Sequence, residues 1–243
     1  MALLRAAWRR TLREFREAAV DLLLPPHCPG CGAPGNDGRW LCRPCAAHLV
    51  QRPADGCDRC GEPVVPGGAC TDHRWLEGIA WARAPFTYAG TGGALVRRLK
   101  LRGDFAALPL LASAMVGVAA PLGTAEWRRA VLVPVPLHRH RRRRRGFDQA
   151  RLLALAVAVR TGATVAACLH RQVATLPQGD PRVTSRERNV EGAFAVARAH
   201  AVRGRSVVLI DDVTTSGATV RTCARLLRAA GAERVAVLTA CRA

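Results

Sequence analysis

Val207-Val208-Leu209-Ile210-Asp211-Asp212-Val213-Thr214-Thr215-Ser216-Gly217-Ala218-Thr219 is the stretch that decides how this chain folds. Four apolar residues predict a buried central strand, with two adjacent carboxylates at its carboxyl end. A turn of hydroxyls and one glycine follows, and the pattern after it predicts a helix over residues 219–230, closed by Gly231. In open α/β sheets, ligands bind just outside the carboxyl ends of the strands. The backbone N–H groups and hydroxyls of residues 214–219, at a helix N-terminus, suit a phosphate monoester. Asp211 and Asp212 would repel that phosphate. They are therefore expected to face ribose hydroxyls one loop-length away, with magnesium offsetting their charge. The bland alternative is a strand, an Asp pair and an ordinary N-cap turn; hydroxyl-rich turns are common, but this combination of buried strand, paired acids, turn and helix is not.

Outward from this stretch, strand and helix patterns alternate. Strands are expected at residues 84–88, 131–135, 206–210 and 235–239. Helices are expected at 93–101 and at 148–160, where Asp148 serves as N-cap. Such alternation predicts an α/β fold with a mostly parallel sheet covered by helices. Residues 105–125 carry no charge, but Pro109, Gly117, Pro121 and Gly123 interrupt them. The proline-free part, 110–120, falls short of the roughly 20 apolar residues a bilayer requires. A buried helix is expected there and no membrane span. Residues 1–24 predict an amphipathic helix ended by Pro25 and Pro26. Its arginines and glutamates break any apolar signal core, so a cytoplasmic protein is expected.

The 243 residues carry a formal net charge of +19, with Lys100 the one lysine among 37 basic residues. A preference for arginine codons accounts for part of this, so the place where charge clusters matters more than the total. Arg139 and Arg141 to Arg145 put six positive charges into seven residues. Guanidinium pairs bidentately with phosphate, which makes diphosphate a natural small anion for the cluster. A solvated or nucleic-acid-binding loop is the competing reading.

Seven of the ten cysteines fall between Cys28 and Cys70. The pairs are Cys28-x-x-Cys31, Cys42-x-x-Cys45, Cys57-x-x-Cys60 and Cys70-x-x-His73. Two residues between ligands let both side chains of a tight turn face one ion, and two such turns close a tetrahedron. Closed sites of this kind are structural, and one or two zinc ions are expected. Pairing in chain order and interleaved pairing both fit the spacing. Residues 27–82 lack the apolar pattern of a normal core, so they need such a staple. Cys168, Cys223 and Cys241 stand apart and are expected to be small buried hydrophobes.

Residues 207–219 resemble the signature of type I phosphoribosyltransferases. Further stretches resemble the ComF branch of that superfamily: Val133-Pro134-Val135-Pro136-Leu137-His138, Arg145-Gly146-Phe147-Asp148-Gln149-Ala150, Leu99-Lys100-x-Arg102-Gly103-Asp104, and Arg186-x-Arg188-Asn189-Val190-x-Gly192-Ala193-Phe194. The front, from Asp21-Leu22-Leu23-Leu24-Pro25-Pro26 onward, is similar to that family's double zinc ribbon. Asp148 stands where the family commonly has Asn, and His73 where it commonly has Cys. The resemblance implies an N-terminal helix over 1–26, a double zinc ribbon over 27–82 and a phosphoribosyltransferase domain over 83–243. Asp211 and Asp212 become the catalytic carboxylates. Val213, Thr214, Thr215, Ser216, Gly217, Ala218 and Thr219 bind phosphoribosyl diphosphate, and Leu137, His138, Arg139 and Lys100 take its pyrophosphate. Residues 171–191 form a hood over the site, rich in arginine and proline without apolar period.

Two functions follow. One is an enzyme in which a nitrogen nucleophile displaces diphosphate, with neither the acceptor nor a general base readable from the sequence. The other, implied by the ComF resemblance, is a competence factor handling single-stranded DNA beside other competence proteins. Aromatic residues are only 5%, which weighs against base stacking.

Overall fold

The computed structural model of the protein describes residues 26–35, 40–53, 56–64, 70, 73–119, 123–172 and 192–243. The expected helix over 1–24 and most of the expected hood lie outside these residues.

The main sheet is wholly parallel. Strands β1 (Ala82–Arg83), β3 (Val131–Pro134), β4 (Thr164–Val165), β7 (Ser206–Thr214) and β8 (Arg234–Arg242) lie in the order β1-β8-β7-β3-β4. The sixth strand, β2 (Phe86–Thr87), continues the β1 edge along β8, with Phe86 opposite Cys241. One strand was expected over residues 84–88. Pro85, which has no N–H to give a ladder, sits where the edge is interrupted. A separate antiparallel pair, β5 (Leu169–Arg171) and β6 (Phe194–Val196), brackets most of the expected hood.

Strand residues alternate faces, and both faces are buried. Val208, Ile210, Ala236 and Leu238 belong to one core, with α2 (Gly90–Arg102), α3 (Leu108–Val118) and α6 (Gln149–Thr161) packed over them. Val207, Leu209, Val235 and Val237 belong to the other, under α7 (Ala218–Ala229). The remaining α-helices among the described residues are α1 (Arg43–Ala47), α4 (Thr124–Arg129) and α5 (Arg139–Arg145). Within the uncharged run, residues 108–118 form α3, which buries Leu111, Ala112 and Met115, and no helix among the described residues is long and apolar enough to cross a membrane.

Two expectations need correction. β7 and β8 run past their apolar cores to Thr214 and Arg242, because the ladder continues through Asp211↔Thr239, Val213↔Cys241 and Thr214↔Arg242. The arginine run is not a loop but helix α5. Arginine is a good helix former, and the exposed side chains of Arg142, Arg143 and Arg144 let solvent screen their repulsion. Gly146 ends the helix at φ +81°, in the left-handed region.

Candidate functional site

The cysteine pairs close two quartets in chain order. Cys28, Cys31, Cys42 and Cys45 form one and Cys57, Cys60, Cys70 and His73 the other, with ligand atoms in each within 4.8 Å of one another. Interleaved pairing is thereby excluded. The Cys31 and Cys42 sulfurs are 3.7 Å apart. A zinc–sulfur bond of about 2.3 Å gives a tetrahedral edge of about 3.8 Å, so the donors fit that ion. Gly32 and Gly61 follow their pairs at φ +84° and +67°, which a knuckle turn requires. His73 completes the second quartet, its Nε2 3.1 Å from the Cys57 sulfur.

The first quartet is tied to α2. Asp104 accepts from Arg98 Nη2 at 2.7 Å and lies 3.0 Å from His27 Nε2. Despite burial, those two partners hold its carboxyl below the usual carboxylate range. Arg98 Nη1 also donates to the Cys31 carbonyl, 3.3 Å away. The same helix carries Lys100, whose Nζ is 2.8 Å from Asp212 Oδ1. Burial alone would lower the Lys100 pKa, but the Asp212 and Asp211 carboxylates outweigh it and raise it.

The carboxylate couplet sits on β7 itself. Asp212 is 3% exposed and Asp211 half-buried. Consecutive strand residues point to opposite faces, and the contacts agree. Asp212 follows Val208 and Ile210 onto one face, where it meets Lys100, while Asp211 follows Val207 and Leu209 onto the other. The two acids therefore do not project as a matched pair beyond the strand end. Asp211 Oδ1 accepts from the Asp212 N–H at 2.8 Å. Burial and the Asp212 charge push the Asp211 carboxyl well above the carboxylate range, against the pull of Lys100. Asp212 Oδ2 and Thr214 Oγ1 are buried without a hydrogen-bond partner. Buried polar atoms are nearly always satisfied, so these two mark capacity for another donor or a cation.

The expected phosphate loop is shorter than the sequence indicated. Thr214 ends β7, Ala218 and Thr219 already lie in α7, and the turn proper is Thr215, Ser216 and Gly217. Gly217 has φ +75°. A Cβ there would fall 2.9 Å from Trp75 Cε3, so what the glycine admits is the front module.

After β3, the Leu137 N–H donates to Asp148 Oδ2, while Asp148 Oδ1 caps α6 by accepting from the Arg151 N–H, both at 3.2 Å. Aspartate at this position thus has a defined role: it ties the turn to the helix and commits the Leu137 amide. His138 is buried and its Nδ1 accepts from the His140 N–H, while Arg139 is exposed. A cavity of about 150 Å³ opens here, walled by Pro136, Leu137, Arg139, Arg142, Asp148 and Arg171. Its walls do not reach Asp211, Asp212 or the 215–217 turn. Of the arginine run, Arg145 turns inward: it donates to Gln149 Oε1 at 3.3 Å and lies within electrostatic reach of Asp212. Trp75 and Arg242, which contact the turn after β7, and Glu62, which binds Arg242, carry no local signature. Their partners come from distant parts of the chain.

Comparison with known proteins agrees with this architecture. A model of the double zinc ribbon domain matches residues 19–74, and a model of the phosphoribosyl transferase domain matches residues 148–243. DNA utilization protein YhgH of Salmonella typhi is 31% identical over 233 residues, spanning 91% of this chain and 99% of that protein. Its namesake from Escherichia coli is 30% identical over the same extent. A solved structure described as the allosteric regulatory enzyme of purine biosynthesis overlaps 54% of this chain and 25% of its own, at TM-score 0.37 and 23% identity. With a double zinc ribbon, a phosphoribosyltransferase domain on a parallel sheet, and relatives similar along 91% of its length, the chain belongs to the ComF family.

Proposed function

We propose that this protein binds 5-phosphoribosyl diphosphate with magnesium and transfers the phosphoribosyl group to a nitrogen acceptor. The junction of β7 and α7 carries the reading: two acids and a buried, unpartnered threonine hydroxyl directly precede a hydroxyl-rich turn at a helix N-terminus. In this proposal the amides and hydroxyls of Thr215, Ser216, Gly217 and Thr219 hold the 5-phosphate. Val213 and Ala218 contribute backbone. Asp211 holds the ribose hydroxyls, while Asp212, on the opposite face of β7, positions Lys100. Lys100, His138 and Arg139 take the diphosphate, with Leu137 shaping the turn through Asp148. Carboxylate and hydroxyl oxygens such as Asp212 Oδ2 and Thr214 Oγ1 are the hard donors magnesium prefers, and that ion, when bound, neutralises charge on the leaving group. A carbon–nitrogen bond forms at the anomeric carbon as the bond to diphosphate breaks. Arg145 and Lys100 stabilise the charge that develops.

Titration calorimetry of the zinc-loaded chain with phosphoribosyl diphosphate and magnesium tests the proposal, followed by an acceptor screen for diphosphate release. Saturable binding lost in Asp211→Asn/Asp212→Asn is the expected result. A folded wild-type chain with no affinity for this ligand would end it.

A second reading, handling of single-stranded DNA, gains from the structure. The exposed arginines of α5 stand beside Phe147, which makes an edge-to-face pair with Phe105 at 5.1 Å, and Phe105 is 48% exposed. Charge for a phosphate backbone thus adjoins a ring face on which a base can stack. Relatives bearing the name DNA utilization protein support it.

A further inference from the structure

The turn after β7 is gripped from behind by residues that belong to neither β7 nor α7. Arg242 of β8 donates through Nη1 to the carbonyl oxygens of Thr214, at 3.2 Å, and Thr215. Its Nε donates to Glu62 Oε1 at 3.1 Å, and its guanidinium lies 4.5 Å from the centre of the Trp75 ring. Glu62 is braced in turn by Arg52, at 2.9 Å. Trp75 also walls Gly217, leaving no room for a side chain there. The gap bounded by Cys60, Trp75, Thr214, Thr239 and Arg242 holds only about 10 Å³, space for one water at most.

These contacts bear directly on the anion-facing side. A peptide unit is planar and trans, so its N–H points opposite to its carbonyl. The carbonyls of Thr214 and Thr215 share peptide units with the N–H groups of Thr215 and Ser216. Holding those oxygens on one side aims those N–H groups to the other, and a cation on the carbonyl strengthens the amide as a donor. Arg221 Nη1 treats the Ser216 carbonyl the same way at 3.4 Å, directing the Gly217 N–H. The residues that hold Arg242 come from the second metal quartet's own segment: Glu62 lies two residues past Cys60, and Trp75 two past His73.

We propose that Arg242 is a positioning residue for the 215–217 turn, and that the second metal quartet holds it in place through Glu62 and Trp75. The ion in that quartet thereby sets anion affinity in a site it does not touch. This rests on the reading of the turn as the phosphate cradle.

Amide hydrogen exchange and calorimetry on the full zinc-loaded chain separate the two ideas. Arg242→Gln should raise exchange at residues 215–217 in the unliganded protein and weaken phosphoribosyl diphosphate binding about tenfold, with zinc content unchanged. Glu62→Gln keeps one acceptor oxygen for Arg242 but sets an amide NH2 against Arg52, so it should fall between wild type and Glu62→Ala, which should move toward Arg242→Gln. Cys57→Ala, which opens only the second quartet, should loosen the same turn and leave residues 28–35 and 40–45 protected. Unchanged exchange at 215–217 in Arg242→Gln overturns the inference, as does exchange that rises equally across β3 and β7. If exchange rises at the turn but the wild-type chain binds no phosphoribosyl diphosphate, the proposed function falls while the positioning role stands.

Discussion

Lys100 Nζ and Asp212 Oδ1 are 2.8 Å apart, joining α2 to β7 through a carboxylate that is almost wholly buried. Lys100→Met leaves that carboxylate without its counter-charge and is expected to cost about 3 kcal/mol. Adding Asp212→Asn should restore most of the loss. Urea denaturation of the four proteins of the cycle checks this, and equal costs of Lys100→Met in both backgrounds would show the pair to be uncoupled.

Asp211 gives a pH dependence of definite sign. Its carboxyl, held above the ordinary 3.8 by burial and by Asp212, binds a proton more tightly in the fold than in the unfolded chain. Its stabilising contribution is greatest at or below the unfolded pKa and falls as pH rises toward the raised folded value. Asp211→Asn keeps an oxygen for the Asp212 N–H while shedding the charge. The variant should therefore gain about 1 kcal/mol of unliganded stability at neutral pH and lose ligand binding. Thermal unfolding from mildly acidic to mildly alkaline pH measures it. A variant less stable than wild type at neutral pH would contradict the assignment.

Elemental analysis of the purified chain should return two zinc ions, one per quartet. His73→Ala is expected to leave one ion firmly held and one readily removed by chelator. Because the sulfurs must be deprotonated to bind, acidification should release metal from both quartets. Loss of both ions from His73→Ala under mild chelation would mean that the quartets do not close independently.

For single-stranded DNA, charge and stacking are separable. Arg142→Ala with Arg143→Ala should reduce the slope of log affinity against log salt by about 1.4, near 0.7 for each phosphate no longer neutralised. Phe147→Ala should weaken binding by about 1–3 kcal/mol and leave that slope unchanged. Filter binding across a salt series reads both, and an unaltered slope in the double arginine variant would place the DNA path elsewhere.

What was legible in the sequence was local. The strand, acids, turn and helix of residues 207–229 form one continuous signal, and each knuckle announces itself by spacing. Asp148 was readable as an N-cap because capping is a short-range choice. The rest is tertiary. The fate of the arginine run depended on solvent exposure that no pattern of like residues encodes. The acids' split across β7 followed from a ladder that β8 prolongs, and the strand's apolar core gave no sign of it. Trp75 against Gly217 and Lys100 against Asp212 join segments with no sequence relation.

Glu62 and Arg242 are 180 positions apart in the chain. Both quartets are complete by residue 73, long before β7 and β8 are synthesised. A nascent chain can thus take up zinc early, while closure of the turn waits until residue 242 has left the ribosome and a long-range contact has formed, the slow kind of step in folding. A polypeptide stalled before residue 242 would emerge already metallated yet with its anion-binding turn ungripped, so competence to bind arrives well after the metal does.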